Sequence, residues 1–480
     1  MKYAKIRSQE LKAKLHSPEA RFYLFVSFCC IVFFLGGGSR DDVQSLVLLR
    51  PLAILFCAYA LSGRVSGQWN GRNFPLYIVC ALAGLMLMQL MPLPPSLWTE
   101  LPGRQMFANI AQVAGIDDPW RPMSLAPSRT LNSLFSLAVP AAAAMLFLNL
   151  DGQYRRKAIP VLIVLIVISA MWAMFQLAGP PRGPLYLYRI TNVGAGVGLF
   201  ANRNHQAVAL ASAIVMIGWY AGSLAPGSKL LMLKLFASIA TIFVLVPLIL
   251  VTGSRAGLLL LMPGLAFAFI FIYFGQLPSD RKSRGSGRKQ KNRMLLLRRW
   301  GALSAILAIV GISGLSVLLS RSAAYDRLFG INDLTELRFQ LLPTIFQMIK
   351  EYMPWGSGFG SFEYVYKIYE PRELLDPSYL NQAHNDWLQY PLEGGLPALA
   401  IAFVAIIWFA RRSVEMVKSW RVSSHRNFRA IMCMAVIGFL LAASIGDYPL
   451  RVPSLMVVFI ILVCVFNDSI RMTGGQKDAA

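Results

Sequence analysis

The chain has few charged residues for its length. Only 14% of its 480 residues are Asp, Glu, Lys or Arg, whereas 56% are hydrophobic. Soluble globular proteins carry about 25% charged residues. This deficit excludes an ordinary soluble domain, and the apolar runs of near-span length predict an integral membrane protein built from helices.

Cysteine and histidine are scarce too. The six cysteines all lie in apolar runs, and none has the spacing of metal ligands or of a disulfide framework. His384 and Asp386 would point to opposite faces of a helix, and no second histidine lies nearby, so no metal site is predicted. A Gly-x-Ser-x-Gly elbow is also missing, which argues against a hydrolytic triad. A cleavable signal peptide with a small-residue site is not found, so the first apolar run is expected to be a retained span.

Basic residues are abundant by contrast, and the net charge is +23. In a soluble protein this charge would suggest nucleic acid. In a membrane protein, Lys and Arg accumulate in the cytoplasmic loops instead. We therefore expect membrane lipids, and no nucleic acid, to be the partners of these residues.

Twelve apolar runs predict an all-α polytopic membrane protein with about twelve transmembrane helices. They cover roughly residues 22–38, 44–62, 73–92, 131–149, 158–178, 205–222, 233–251, 256–275, 301–319, 389–410, 429–446 and 452–466. We thus divide the chain into an N-terminal segment, helices 1–9, a large polar loop, helices 10–12 and a tail. These regions are 1–21, 22–319, 320–388, 389–466 and 467–480.

The positive-inside rule predicts the orientation. Most Lys and Arg fall on the inside when the N-terminus is cytoplasmic, including the basic loop near 276–300. Both termini are then cytoplasmic. The outside receives the loops near 93–130 and 179–204 and the large loop 320–388, which is expected to carry short helices. We assign no chemistry to the loop 93–130.

Arg255 and Arg338 are the first candidate functional residues. Arg255 lies between two apolar runs with almost no loop, so its charge sits near the membrane, where charged groups are usually functional. The alternative is an arginine that extends to the lipid interface. Arg338 falls in the apolar stripe of a predicted helix, which Pro343 would kink or break. Its alternative is an ion pair with a loop acid.

His384, followed by Asn385, is the candidate base, because an imidazole near neutrality accepts a proton from a hydroxyl. A structural role is the alternative. Arg203 and His205 open a predicted span, where they could contact substrate or where the neighbouring polar residues could simply cap the helix. Arg50 is a weaker candidate of the same kind.

Two further features lie in the large loop. Gly356, Gly358 and Gly360 are not preceded by a strand, so they predict a tight turn rather than a dinucleotide site. The aromatic run 362–369 suits either stacking on sugar rings or packing within the loop.

These motifs together resemble the O-antigen ligase and O-antigen polymerase superfamily of bacterial membrane glycosyltransferases. The resemblance rests on Ser254-Arg255-Ala256-Gly257, on Arg338 with Leu342 after three residues, and on His384-Asn385 with Gly395 after nine residues. The segment 198–205 is similar to one in many members. The family pattern has Gly, Thr or Tyr where this chain has Ala398.

The resemblance implies an enzyme of the bacterial inner membrane with its active site facing the periplasm. Such enzymes transfer a glycan from undecaprenyl diphosphate to an acceptor hydroxyl, without a metal or other cofactor. Arg255 and Arg338 would hold the diphosphate and His384 would activate the acceptor, with Arg203, His205, Asn385 and Arg50 as further possible contacts.

Three functions remain open at this point. A ligase transfers the glycan to a lipid A core sugar, whereas a polymerase of O-antigen or exopolysaccharide transfers it to another lipid-linked repeat. A transporter of polysaccharide or lipid-linked oligosaccharide is the alternative from another class, although it would predict two related halves and broken mid-membrane helices.

Overall fold

The computed structural model describes residues 14–40, 42–63, 73–116, 119–224, 230–274, 301, 311, 340–375, 380–418 and 424–474. Helices dominate these residues, because a backbone in lipid must satisfy its N–H and C=O groups within its own segment. The helices are α1 (Pro18–Leu35), α2 (Ser45–Ser62), α3 (Phe74–Leu90), α4 (Pro95–Trp98), α5 (Gln105–Val113), α6 (Pro127–Ser136), α7 (Ala138–Leu148), α8 (Gly152–Arg155), α9 (Ala158–Ala178), α10 (Arg203–Ser223), α11 (Leu231–Thr252), α12 (Arg255–Phe274), α13 (Leu342–Tyr352), α14 (Phe362–Tyr369), α15 (Asp386–Lys418), α16 (Ser424–Ala443) and α17 (Pro453–Gly474). Arg372–Leu374 and Pro449–Arg451 form 3₁₀ helices, and β1 (Pro92–Leu93) pairs antiparallel with β2 (Arg121–Pro122).

Within the described residues, nine helical segments are long and apolar enough to span a membrane. They are Pro18–Leu35, Ser45–Ser62, Pro127–Leu148, Gly152–Ala178, Arg203–Ser223, Leu231–Thr252, Arg255–Phe274, Asp386–Lys418 and Pro453–Ile470. Two shorter apolar helices cover Phe74–Leu90 and Asn427–Ala443. The prediction of an all-α polytopic membrane protein is therefore confirmed. The predicted span 301–319, apart from residues 301 and 311, lies outside the described residues, as do 276–300 and 320–339.

Helix α10 lies at the centre of the bundle, with 16 of its 21 residues buried. It packs against α12 through small residues, since a Cβ on Gly218 would lie 2.3 Å from Cα of Ala268 and a Cβ on Gly257 would lie 2.5 Å from Cβ of Ala207. Small residues let helix backbones approach closely in lipid. The pairing runs in the same direction along both helices, so α10 and α12 are parallel and begin at the same end of the bundle.

The turn before α12 is a tight hairpin, as the sequence predicts. Gly253 closes it in the left-handed conformation with φ of 64°, which glycine adopts without steric cost. The N–H of Gly257 donates to Oγ of Ser254 at 3.1 Å, which satisfies one open donor at the start of α12. Arg255 therefore begins α12 directly after this turn.

Helix α15 is broken at Gly395, where φ is 61°. The break frees main-chain oxygens, and the N–H groups of Ser357 and Gly358 donate to the carbonyls of Leu392 and Glu393, each at 2.9 Å. A Cβ on Gly395 would lie 2.2 Å from the carbonyl oxygen of Pro354. Glycine at 395 thus allows the 354–358 segment to dock on the broken helix.

Candidate active site

A buried carboxylate, Asp447, joins three separate parts of the chain. It lies between α16 and α17 and is 3% exposed. Its Oδ1 lies 3.4 Å from Nδ1 of His384, which precedes α15, and 3.7 Å from Nε2 of His205, in the first turn of α10. Two imidazoles from distant segments therefore face one carboxylate oxygen.

Two asparagines bind the other oxygen of the same carboxylate. The side-chain amides of Asn204 and Asn202 donate to Oδ2 of Asp447 at 2.8 Å and 3.4 Å. Asn202 also caps α10, because its side-chain oxygen accepts from the N–H of Asn204 at 2.8 Å. The capping alternative predicted for this polar segment is therefore confirmed, and the same residues also fix Asp447.

The surroundings of Asp447 favour its charged form. Burial alone would raise the pKa of this carboxyl, but the neighbouring imidazoles of His205 and His384 lower the pKa well below its usual value. The N–H of Tyr448 adds a hydrogen bond to Oδ1 at 3.0 Å. Asp447 is thus a fixed negative charge.

His384 is the accessible end of this group. Its side chain is 19% exposed, whereas that of His205 is 3% exposed. The ring of Tyr448 packs on both imidazoles, with centroid distances of 4.8 Å to His384 and 5.3 Å to His205. His384 also has φ of 49°, an uncommon conformation for a residue other than glycine, and such residues cluster at functional sites.

Asn385 acts as a helix cap in the structure. Its side-chain oxygen accepts from the N–H of Leu388 at 3.2 Å, at the start of α15. This bond fixes where the helix begins and so orients the residue before it. The predicted contact between Asn385 and substrate stays a prediction.

Arg255 lies at the same end of the bundle as His205. The close approach of Gly257 to Ala207 brings the first turns of α12 and α10 together. Two helix N-termini therefore meet here beside a half-buried guanidinium. Helix N-termini carry partial positive charge, so this end of the bundle is suited to an anion.

A second charged group lies beside the first. Arg451 donates from Nε to Oδ1 of Asp386 at 2.8 Å and from Nη2 to Oε2 of Glu393 at 3.4 Å. The attraction of these two acids outweighs burial and raises the pKa of Arg451. Because Asp386 follows His384 by two residues and Arg451 follows Asp447 by four, this ion pair holds the two segments of the site against each other.

Glu393 extends this network into the segment 340–375. Its Oε1 accepts from the N–H of Phe362 at 3.3 Å and from the amide of Gln389 at 2.8 Å. The amide oxygen of Gln389 accepts from the N–H of Ala383 at 2.9 Å. The residue before His384 is thus connected to the start of α14.

The predicted glycine turn is confirmed. Gly356, Gly358 and Gly360 have φ of 81°, 103° and 81°. A Cβ on Gly358 would lie 2.1 Å from Oγ of Ser124, so the turn also packs against the segment 93–130. That segment, to which the sequence assigns no chemistry, supports the turn.

Arg104 carries much of this support. Its guanidinium is buried and donates to the carbonyls of Met123 and Gly356 at 2.7 Å and 3.1 Å. It also lies over the ring of Tyr352, 5.4 Å from the centroid. The segment 93–130 therefore holds both α13 and the glycine turn.

The aromatic run is mostly internal packing. Phe362 and Tyr366 are buried and stacked, with centroids 5.6 Å apart, and the Tyr369 hydroxyl donates to that of Tyr352 at 3.3 Å. Tyr364 is 45% exposed. Of the four aromatic residues, it alone keeps a large exposed surface for a sugar.

The remaining candidates are Arg50, Arg203 and Arg338. Arg50 in α2 donates to the side chain of Asn132 in α6. The main-chain N–H of Arg203 donates to the side-chain oxygen of Asn192 at 2.9 Å. Arg338 lies outside the described residues. Within the described chain, no three His, Cys, Asp or Glu side chains are grouped to hold a metal.

The sequence reasoning missed Asp447, Arg451 and Glu393. A signal was present, because Asp447 and Arg451 lie in a short link between two apolar runs. Charged groups so close to the hydrocarbon are costly and usually functional. Their partners are far away in sequence: Asn204 and Asp447 are 243 residues apart.

Comparison with known families supports the resemblance. Residues 240–403 match the family model described as O-antigen ligase. Searched against curated proteins, the chain finds no match. The matched range contains Arg255, Arg338 and His384, whereas His205 and Asp447 lie outside it.

Proposed function

Because the chain carries an O-antigen ligase domain at residues 240–403 and is a membrane enzyme of glycosyltransferase type, we propose that it transfers a glycan from undecaprenyl diphosphate to an acceptor hydroxyl. The observation that carries this proposal is the contact of His384 with Asp447, at the end of the bundle where Arg255 begins its helix.

His384 acts as the base. Nδ1 faces Asp447 at 3.4 Å, so this nitrogen carries the proton and the lone pair is on Nε2. The acceptor hydroxyl gives its proton to Nε2 as its oxygen bonds to the sugar carbon. The bond from that carbon to the diphosphate breaks, and its electron pair leaves with the diphosphate oxygen. Asp447 stabilises the imidazolium that forms.

Arg255 acts on the leaving group. An arginine binds phosphate oxygens through two parallel N–H donors, and such donors gain most where negative charge develops. The N-termini of α10 and α12 add partial positive charge at the same end. Arg338 is the second proposed diphosphate ligand on the strength of the family motif, and Arg203, His205, Asn385 and Arg50 remain proposed contacts.

The proposed topology has twelve spans, both termini in the cytoplasm and the site facing the periplasm of the bacterial inner membrane. The contacts at the His384 end support it, because they join loops that the topology assigns to one side. The N–H of Ala201 donates to the carbonyl of Gly37 at 3.0 Å, and the N–H of Ser454 donates to that of Gly36 at 3.0 Å. The large loop 320–388 then contributes α13, α14 and His384.

A reconstituted transfer assay tests the function and distinguishes the acceptors. The purified full-length chain receives a labelled lipid-diphosphate glycan together with either a lipid A core oligosaccharide or an unlabelled lipid-linked repeat. A ligase moves label to the core, and a polymerase lengthens the lipid-linked glycan. Transport without a new glycosidic bond would contradict the proposal.

The variant His384→Ala tests the base. We expect a loss of about 10²–10⁴-fold in transfer rate, the contribution typical of a general base. His16→Gln is the matched control, because His16 stacks on Tyr59 with centroids 5.1 Å apart, away from Asp447. Equal rates in His384→Ala and the parent chain would rule out His384 as the base.

A further inference from the structure

Arg50 is a charged residue in an apolar helix of spanning length, and a neutral side chain holds it there. It lies five residues after Ser45, where α2 begins, or about 7.5 Å along the helix axis. Its Nη1 donates to Oδ1 of Asn132 in α6, and its Nε is buried without a hydrogen-bond partner among the described residues. A charged group at such depth in a span is costly and usually functional.

Two other part-buried arginines show the usual solution, which is an acid. Arg155 lies 3.1 Å from Asp468, and Arg451 lies 2.8 Å from Asp386. In the described part of the chain, no acid lies within ion-pairing distance of Arg50, whose bonding partner is an amide. A guanidinium stays charged at any pH that the protein meets. An anion bound at Arg50 would therefore balance a charge that the described fold leaves without an acid.

The surface around Arg50 is apolar and accessible. Val47 and Ile54 share its face of α2, because they precede and follow it by three and four residues, and both are exposed. On α6, Leu131 and Phe135 are exposed as well. In a membrane such a surface contacts acyl chains, so the anion that suits this position belongs to a lipid.

Arg50 lies at the end of the bundle that holds His384. Oγ of Ser45, at the start of α2, donates to the carbonyl of Leu35 at 2.6 Å. The next carbonyl, that of Gly36, accepts from the N–H of Ser454 in the first turn of α17, which follows Asp447. The start of α6 reaches the glycine turn, since Oγ1 of Thr130 donates to the carbonyl of Phe359 at 2.8 Å.

An exposed aromatic ring lies beside the first turn of α6. Arg129 precedes Asn132 by three residues, and so lies about 4.5 Å nearer the start of the helix. Its Nε and Nη2 donate to the hydroxyl of Tyr364 at 3.3 Å and 3.1 Å, and Nη2 lies 3.7 Å from Oε2 of Glu363. A lipid with its phosphate at Arg50 would thus present a glycan headgroup to the ring of Tyr364. A phospholipid has no glycan to place there.

We propose that Arg50 and Asn132 bind the phosphate of the acceptor lipid, at a site separate from the diphosphate site of Arg255. Because Oδ1 of Asn132 accepts from Arg50, the Nδ2 group of the same amide is a second donor beside the guanidinium. This inference rests on the proposed function, in which both candidate acceptors are phosphorylated glycolipids. The sites are separate because α2 packs against α1 and α7, whereas α12 packs against α10 and α11.

Native mass spectrometry of the full-length protein counts bound lipids without any transfer. The probes are undecaprenyl diphosphate without a glycan and bisphosphorylated lipid A, neither of which can donate a glycan. With both probes present, the parent should hold two lipids, either one of each or two molecules of undecaprenyl diphosphate. Arg50→Gln should raise the Kd of one of them by about 10–100-fold, the effect of losing a charged hydrogen bond, and Arg255→Ala should weaken only the other.

The control Arg189→Gln removes a positive charge from an exposed arginine that lies 3.6 Å from Asp42, and both Kd values should stay at the parent level. If Arg50→Gln does not fold, as judged by thermal unfolding, Arg50→Lys decides, because it keeps the charge but loses the parallel donors and should raise the same Kd by about threefold or more. Parent-like binding in these variants, or loss of the same single lipid in Arg50→Gln and Arg255→Ala, would overturn the proposal. An equal loss of affinity for phosphatidylglycerol would overturn the assignment to the acceptor.

Transfer kinetics connect the site to activity. In Arg50→Gln, the KM for the acceptor should rise by about tenfold or more, while kcat and the KM for the donor stay within about threefold of the parent. A purely structural Arg50 would lower the folded fraction and leave the KM for the acceptor unchanged, which would contradict the proposal. If the chain transfers no glycan at all, the proposed function fails, while the lipid count still decides whether Arg50 binds a lipid phosphate.

Discussion

A buried aspartate lies near each end of α17, and the two differ in the side chains that face them. Asp447 precedes the helix and faces the imidazoles of His205 and His384. Asp468, near the other end, faces two guanidiniums: Nη1 of Arg155 at 3.1 Å and Nη2 of Arg429 at 4.0 Å. Each acid joins helices that are distant in sequence.

This difference separates an ion pair that can only stabilise the fold from a group that is suited to acid–base chemistry. Arginine stays protonated at any pH that a folded protein meets, so the guanidiniums that face Asp468 can hold helices together but cannot act as a base. Imidazole exchanges protons near neutrality. The end of α17 near His384 therefore has side chains suited to acid–base chemistry. The end near Asp468 has side chains suited to a structural ion pair.

The largest effect is expected at Asp447. Asp447→Asn keeps the volume but removes the charge that fixes the proton on Nδ1 of His384, so transfer should fall by about 10³–10⁴-fold. Because the pKa of Asp447 lies well below its usual value, the carboxylate is charged throughout an assay range of about pH 5–9, and the loss should appear at every pH. Asp42→Asn, at an exposed surface pair with Arg40, is the control and should stay near the parent rate.

Arg255 should give the next effect. Arg255→Ala removes a proposed donor to the diphosphate and is expected to cost about 10²-fold in transfer rate. Arg255→Lys keeps the charge but loses the two parallel donors, so it should recover only part of this loss. Binding of a labelled lipid diphosphate to both variants checks the assignment, and unchanged donor affinity in Arg255→Ala would contradict it.

Gly395 offers a smaller, structural effect. Gly395→Ala places a Cβ on a residue with φ of 61°, and this Cβ would lie 2.2 Å from the carbonyl oxygen of Pro354. The substitution should therefore destabilise the protein by about 1–3 kcal/mol. In the control Gly438→Ala, an added Cβ meets nothing within 4 Å, so little change is expected. Thermal unfolding of both variants measures the difference. Equal unfolding temperatures would mean that the 354–358 segment does not depend on the break in α15.

Asn385 should give the smallest effect. Asn385→Ala removes the cap on the N–H of Leu388, at a cost of about 1 kcal/mol in stability. Transfer should change by less than about tenfold, since the cap acts on His384 only through the backbone. A loss as large as that of His384→Ala would instead assign Asn385 a direct contact with substrate.

Hydropathy was sufficient to predict most of the fold. The apolar runs anticipate the described spans because the energy of burying a helix in lipid depends on local composition. The glycine turn at 356–360 was predictable for a similar reason, since positive φ angles depend on residue type. The division of the predicted run 131–149 into two helices, α6 and α7, was not predictable, because it depends on packing.

The site was predictable only in part. His384 and Arg255 stood out because local motifs carry them. Asp447 did not, because its role depends on contacts with residues that are distant in sequence, such as Asn204. A carboxylate gains its function from the imidazoles that face it, and local sequence does not record which segments meet. The motif of 201–205 likewise gave no hint that Asn202 and Asn204 hold an acid.

The comparison of the two aspartates is tested most directly by measuring transfer rate and thermal unfolding for Asp447→Asn and Asp468→Asn side by side. Asp468→Asn should remove the carboxylate that faces the part-buried guanidiniums of Arg155 and Arg429 and lower stability by about 3–5 kcal/mol, while the folded fraction keeps a rate near that of the parent. Asp447→Asn should lose at least about 10³-fold in rate with a smaller loss of stability, because Asp447 faces imidazoles, which lack the permanent charge of a guanidinium. Equal loss of rate in the two variants, or a parent-like rate in Asp447→Asn, would contradict the account.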